Sequence, residues 1–175
     1  PKSAVQGCTA LKKFEFSSHI NTIEESAFKD CTSLVDLTFS SSISTIGLSA
    51  FEDCTALTTI AIPENITTIG NKAFKGCTNL QTVELSETVT VIGDSAFENC
   101  TKITNMHIPK SMKEIGQFVF ANCTSLEEIT IPTDCSMTKI PKSAVQGCTA
   151  LKKFEFSSNI NTLIYFYVST SSDIG

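Results

Sequence analysis

The chain has 175 residues, 41% of them hydrophobic and 18% charged, with a net charge of −5. That length allows one domain with a sizeable core. The acidic balance gives no electrostatic basis for binding nucleic acid or an anionic membrane, and no apolar run approaches the length of a membrane helix, the longest notable one being Leu163 to Val168.

Pro1 opens in the middle of a repeating unit, with no initiator Met and no signal-peptide pattern. A fragment of a longer protein is therefore expected. Cys8, Cys31, Cys54, Cys77, Cys100 and Cys123 follow one another at intervals of 23 residues, and Cys148 lies 25 residues further on. A fixed period of this kind sets the whole architecture. Each of these cysteines precedes a Thr, and Leu or Ile stands two residues after the Thr, as in Thr55 and Leu57. A short alternating segment follows, such as Ile60-Ala61-Ile62-Pro63. Then come an Ile-Gly pair, as in Ile69-Gly70, and an Ala-Phe pair, as in Ala73-Phe74, before the next Cys.

Each unit carries one strand signal, with Val83 and Leu85 alternating with Thr82 and Glu84. Such a strand is too short to be stable alone. Stacked on its neighbours it forms a parallel sheet at about 4.8 Å per rung. Pro63, Pro109 and Pro132 stand just after the strand, where ladder pairing is expected to end because proline has no amide hydrogen. The return segment, Gly-x-x-Ala-Phe-x-x, reads as one or two helical turns, with Ser26, Ser49 and Ser95 as N-caps. The residue before each repeat Cys is Gly7, Asp30, Asp53, Gly76, Asn99, Asn122 or Gly147. These types tolerate a left-handed backbone and are expected to close the turn. Phe28, Phe51, Phe74, Phe97 and Phe120 form the column that fills the interior.

The unit Cys-Thr-x-Leu-x-x-Ile-x-Ile-Pro-x-x-Ile-x-x-Ile-Gly-x-x-Ala-Phe-x-x resembles the BspA-like leucine-rich repeats, also called the Treponema pallidum type, and residues 54–76 match it almost throughout. The resemblance implies an α/β solenoid, with a short-stranded parallel sheet on the concave face and short helical turns on the convex face. It covers residues 1–163 as one array of about seven units, followed by an irregular tail over 164–175. It also implies a cell-surface or secreted protein of the adhesin kind, binding host matrix or microbial surface proteins.

Two departures from the unit stand out. The unit after Pro132 is two residues longer, places Cys135 where Ile43, Ile66, Val89 and Met112 stand elsewhere, and has Pro141 instead of the glycine. A local bulge on the convex side is expected there. After Leu163 the Gly-x-x-Ala-Phe segment is replaced, and the array is expected to stop. Residues 1–18 also recur identically at 141–158. Duplication of a multi-unit block accounts for this. The physical alternative is that matching rungs at the two ends allow end-to-end self-association, since bare solenoid ends leave strand edges unpaired.

Eight cysteines are consistent with four bridges by count. Their spacing, however, stacks one per coil into a column, as buried thiols able to donate weak hydrogen bonds. Paired Cys-x-x-Cys ligand sets are absent, so no metal and no cofactor are expected. Of the two histidines, His19 and His107, the second is expected to face outward beside Glu84 as a solvated cross-strand pair. With no third partner, no phosphate loop and no nucleophile motif, an enzyme is not expected. Asn65, Asn99 and Asn122 each begin an Asn-x-Thr glycosylation sequon. The last two fall in the turn before the repeat Cys, whereas Asn65 lies in a loop and is the better acceptor in a protein secreted by a eukaryote.

The outward strand positions form two columns. One runs Lys13, Asp36, Thr59, Thr82, Asn105, Glu128 and Lys153, the other Glu15, Thr38, Ala61, Glu84, His107, Thr130 and Glu155. Lys13–Asp36 and Glu128–Lys153 are placed to pair along the ladder for well under about 1 kcal/mol each. The candidate ligand-binding residues are Thr59, Thr82, Glu84, Asn105, His107, Glu128 and Thr130. With no aromatic anchor, this surface suits an extended or multivalent contact with a protein better than a deep pocket.

Overall fold

The computed structural model describes residues 2–141, 143–155 and 162–163. The chain winds as a parallel β-solenoid in which each 23-residue unit makes one coil. Two short strands per coil replace the single strand expected. On the first face lie β1 (Lys13–Glu15), β3 (Asp36–Thr38), β5 (Thr59–Ile62), β7 (Thr82–Leu85), β9 (Asn105–His107), β11 (Glu128–Thr130) and β13 (Lys153–Glu155). On the second lie β2 (Thr22–Ile23), β4 (Thr45–Ile46), β6 (Thr68–Ile69), β8 (Val91–Ile92), β10 (Glu114–Ile115), β12 (Lys139–Ile140) and β14 (Thr162–Leu163).

All pairing is parallel and in register, one unit to the next. Thr59 opposes Thr82, Ile60 opposes Val83, and Ile46 opposes both Ile23 and Ile69. The second face holds one continuous five-stranded ladder from β2 to β10. It breaks before β12, where the two extra residues fall. The irregularity foreseen in this unit is therefore a gap in the second ladder and not a bulge on the turn side. Cys135 and the additional Met137 are both buried there, so the longer loop folds its apolar groups inward.

The turn side carries no helix among the described residues, which corrects the α/β reading and the helical convex turns. The reason lies in the backbone. Ser26, Ser49 and Ser95, read as helix caps, instead have left-handed φ of 54°, 53° and 56°. The residues before each Cys are also left-handed, as expected, from Asp30 at 61° to Asn122 at 59°. Two such residues per coil prevent an i→i−4 ladder. The segment folds as consecutive tight turns, closed by Ala27 N–H to Glu24 O, Lys29 N–H to Ser26 O and Cys31 N–H to Phe28 O. The intervening amides point at the next coil: Ser26 to Leu48 O, Phe28 to Ala50 O and Asp30 to Glu52 O, at 2.8–2.9 Å. The turn side is thus a third intercoil ladder, built from turns.

Like side chains stack inside. Phe28, Phe51, Phe74, Phe97 and Phe120 are buried, with successive ring centroids 5.1, 5.3, 5.4 and 5.9 Å apart. Each contributes on the order of 2–3 kcal/mol by leaving water. Columns of Leu34, Leu57, Leu80, Ile103 and Leu126, and of Ile46, Ile69 and Ile92, are fully buried beside them. Where the first coil has the smaller Val5 instead of Phe, Phe14 and Phe16 pack edge-on against Phe28, at 4.7 and 5.4 Å.

The small residues have a separate cause. A Cβ built on Gly70 would lie 2.7 Å from the Gly47 carbonyl carbon and 2.8 Å from Ile46 O. The backbones of adjacent coils approach too closely here for any side chain.

Candidate functional site

The strand face is the candidate site, and its residues are set by the pleat. In β5 and β7 the burial alternates, so Thr59, Thr82 and Glu84 face solvent while Ile60 and Val83 face the core. Asn105 and His107 are likewise exposed on either side of buried Met106, and Glu128 and Thr130 are half-buried around Ile129. All seven candidate residues therefore lie on the solvent side of one face. Their ladders fall into two groups, β5 with β7 and β9 with β11.

The polar contacts run along the columns. His107 Nδ1 is 2.9 Å from Thr130 Oγ1 on the next coil. This is the hydrogen bond His107 makes, and it replaces the pairing with Glu84 that was expected. Lys153 Nζ lies 2.7 Å from Glu128 Oε1, and Lys13 Nζ lies 3.2 Å from Asp36, both as expected. Lys13 also reaches Glu15 at 3.0 Å. Its hydrogen bonds to Glu15 and Asp36 hold the ammonium above the usual lysine range. A further pair, Lys152–Glu127 at 3.1 Å, extends the charged end of the face. These charges are exposed, or in Glu128 half-buried, so the pairs fix side-chain positions more than they stabilise the fold.

Residues beside the strand were missed in the sequence. Gln81, Lys102, Thr104 and Ser125, with the candidate Thr82, line a shallow open depression at the edge of the face. Lys102 Nζ is held there by Asn79 Oδ1 at 2.6 Å. A signal existed: Asn79 and Lys102 occupy a column that is Ala or Ser in the other coils, at Ala10, Ser33, Ala56, Ser125 and Ala150. Val35, 50% exposed, flanks the same face.

The seven buried cysteines are structural. Cys54, Cys77, Cys100 and Cys123 donate Sγ–H to the carbonyls of Phe28, Phe51, Phe74 and Phe97 in the preceding coil, at 3.1–3.3 Å. All eight cysteines are free thiols. Burial pushes the Cys54 thiol up to about 12 and the Cys148 thiol up to about 11, so neither ionises near neutral pH. Among the described residues, no three His, Cys, Asp or Glu side chains are grouped to hold a metal.

Several known proteins share this architecture. The family model described as the BspA type leucine rich repeat region matches residues 1–103 and 71–173, with six copies. A crystallised leucine-rich repeat protein of T. pallidum superposes with a TM-score of 0.77 at 28% identity, over 81% of this chain and 68% of that one. A leucine-rich cell surface protein of Faecalibacterium prausnitzii gives a TM-score of 0.52 at 23% identity, over 89% of this chain and 62% of that one. The pneumococcal vaccine antigen PcpA gives 0.63 at 16% identity, over 85% of this chain and 51% of that one. The chain thus spans about half to two thirds of the length of these proteins. No curated protein matches it. The unit, the stacked coils and the match over nearly its whole length lead to one conclusion: the chain belongs to the BspA-type leucine-rich repeat family.

Proposed function

We propose that the chain is a non-catalytic protein-interaction module of a cell-surface, adhesin-like protein, holding a host or microbial surface protein against its strand face. The observation that carries this reading is a band of exposed polar side chains on strands paired in register with an adjacent coil, β5 with β7 and β9 with β11. Thr59, Thr82, Glu84, Asn105 and His107 are solvent-facing on these laddered strands. A surface ordered in advance loses little entropy when it binds. Leucine-rich repeat proteins are in general protein-interaction modules, and one similar structure is that of a leucine-rich cell surface protein. The half-buried Glu128 and Thr130 extend the same band.

The test is a binding screen of the immobilised protein against matrix proteins and mucins, repeated with the double variant Thr59→Lys, Glu84→Lys. Binding that the variant loses, with melting temperature and mass unchanged, supports the reading. Binding retained by the variant removes the strand face from consideration.

One observation favours a second reading, a scaffold that self-associates end to end. Residues 1–18 and 141–158 are identical. The first coil leaves Leu11, Phe14 and Phe16 only half-buried, on a surface of the kind that a further coil covers elsewhere. Light scattering across a concentration series, with and without residues 159–175, decides it. Growth in mass that the deletion abolishes supports assembly, and a constant monomer mass rejects it.

A further inference from the structure

The three Asn-x-Thr sequons, identical in chemistry, occupy different places in the coil. Asn65 is the third residue of the turn that leaves β5, closed by Ile66 N–H to Pro63 O at 3.1 Å. It is exposed, as are Glu64 before it and Thr67 after it. In neighbouring coils the same turn position is filled by Ser42, Thr88 and Ser111. Each of these turns its hydroxyl back to a carbonyl of the preceding coil: Ile20 O at 2.6 Å, Ile66 O at 3.2 Å and Val89 O at 2.6 Å. Asn65 departs from that pattern, and its side-chain amide has no hydrogen-bond partner among the described residues. Thr67 donates its backbone N–H to Ser44 O at 3.1 Å, and its exposed hydroxyl has no hydrogen-bond partner among the described residues.

The other two sequons serve the fold. Asn99 and Asn122 take the left-handed conformation that closes the turn, with φ of 63° and 59°. Asn122 Nδ2, the atom a glycan would occupy, donates to Asn99 Oδ1 at 3.0 Å. The middle residue is buried in all three sequons, Ile66 as well as Cys100 and Cys123, so what sets Asn99 and Asn122 apart is the closed turn they form and not the burial of the residue that follows.

We infer that Asn65, alone of the three sequons, is an N-glycosylation site, its substrate an oligosaccharide carried on a polyprenyl diphosphate and delivered by a membrane oligosaccharyltransferase. In this transfer Asn65 Nδ2 forms a bond to the anomeric carbon of the sugar. The bond from that carbon to the diphosphate oxygen breaks, the polyprenyl diphosphate leaves with the electron pair, and one amide proton passes to a base on the transferase. No oxidation or reduction occurs. The turn lies between β5 and β6, after the strand that carries Thr59 has ended.

The test is secretion of the chain through a eukaryotic host, with intact mass and glycopeptide mapping after enzymatic deglycosylation, which converts an occupied Asn to Asp. The expected result is one glycan, at residue 65, lost in both Asn65→Gln and Thr67→Ala, with the melting temperature of deglycosylated wild type and Asn65→Gln alike. Folded, secreted protein without sugar at residue 65, or with sugar at residue 99 or 122, overturns the inference.

Discussion

The thiol of Cys77 lies 3.3 Å from the carbonyl oxygen of Phe51, 26 residues earlier in the chain. That carbonyl also accepts the backbone N–H of Cys54 at 3.2 Å, so one oxygen closes a turn in its own coil and receives a donor from the next. The relationship recurs from Cys54 to Cys123. It explains why the unit repeats a cysteine and not merely a small apolar residue. Valine would fill the space without supplying the donor.

Because these thiols are buried, they couple stability to alkaline pH. Their ordinary value is 9.0, and burial raises Cys148 to about 11 and Cys54 to about 12. The native state therefore holds protons that the unfolded state loses first. Stability from these thiols is complete below about pH 9 and declines as pH rises toward the folded values, by about 1.4 kcal/mol per pH unit for each thiol. Urea unfolding between pH 8 and 11 measures the decline. Alkylation at pH 8 followed by peptide mapping is expected to label the exposed Cys8 first and the buried thiols only on unfolding. Equal labelling of Cys8 and Cys77 in native protein would contradict the account.

Phe74 stacks between Phe51 and Phe97, at 5.3 and 5.4 Å. Phe74→Ala opens a cavity that coils held on three sides cannot close, and is expected to cost about 3–5 kcal/mol. Thr82→Ala, on the exposed strand face, should stay within about 0.5 kcal/mol. Denaturant titration of both variants checks the contrast, and comparable losses would mean that the ring column does not carry the core.

Gly70 is not left-handed, and the atoms its Cβ would meet are all backbone. Gly70→Ala must therefore separate two coils, at an expected cost of about 1–3 kcal/mol. The ordinary outcome of Gly→Ala, where the backbone conformation is compatible, is stabilisation by about 0.4–1 kcal/mol. A variant that melts higher than wild type would show that the coils do not approach so closely.

Much of this architecture was legible in the sequence because stacking converts a period into columns. The Phe, Leu and Cys positions, the left-handed residue before each Cys, and the outward pairs Thr59–Thr82 and Asn105–Glu128 all follow from the 23-residue spacing. The helical reading failed for a physical reason. Gly-x-x-Ala-Phe places apolar residues three and four apart, which suits a helix. A serine two residues before Phe looks like a cap, but here it takes a left-handed turn position. The second strand, Thr45–Ile46 and its equivalents, is only two residues long, too short for alternation to register. His107 has a polar neighbour in its column on either side, Glu84 and Thr130. Sequence spacing treats them alike, and side-chain geometry settles on Thr130. The depression around Lys102 was hidden because, apart from Thr82, it is built by residues just outside the strand.

The core columns and the strand face both depend on successive coils lying in register, one unit apart. Nuclear Overhauser contacts between ring protons, in protein labelled at phenylalanine, test it most directly. The expected result is an unbroken series of contacts linking Phe28, Phe51, Phe74, Phe97 and Phe120 in order, as centroid spacings of 5.1 to 5.9 Å require, with Phe14 and Phe16 branching at Phe28 and Phe39 at Phe51. Rings that contact water instead, or contacts that skip a coil, would contradict it.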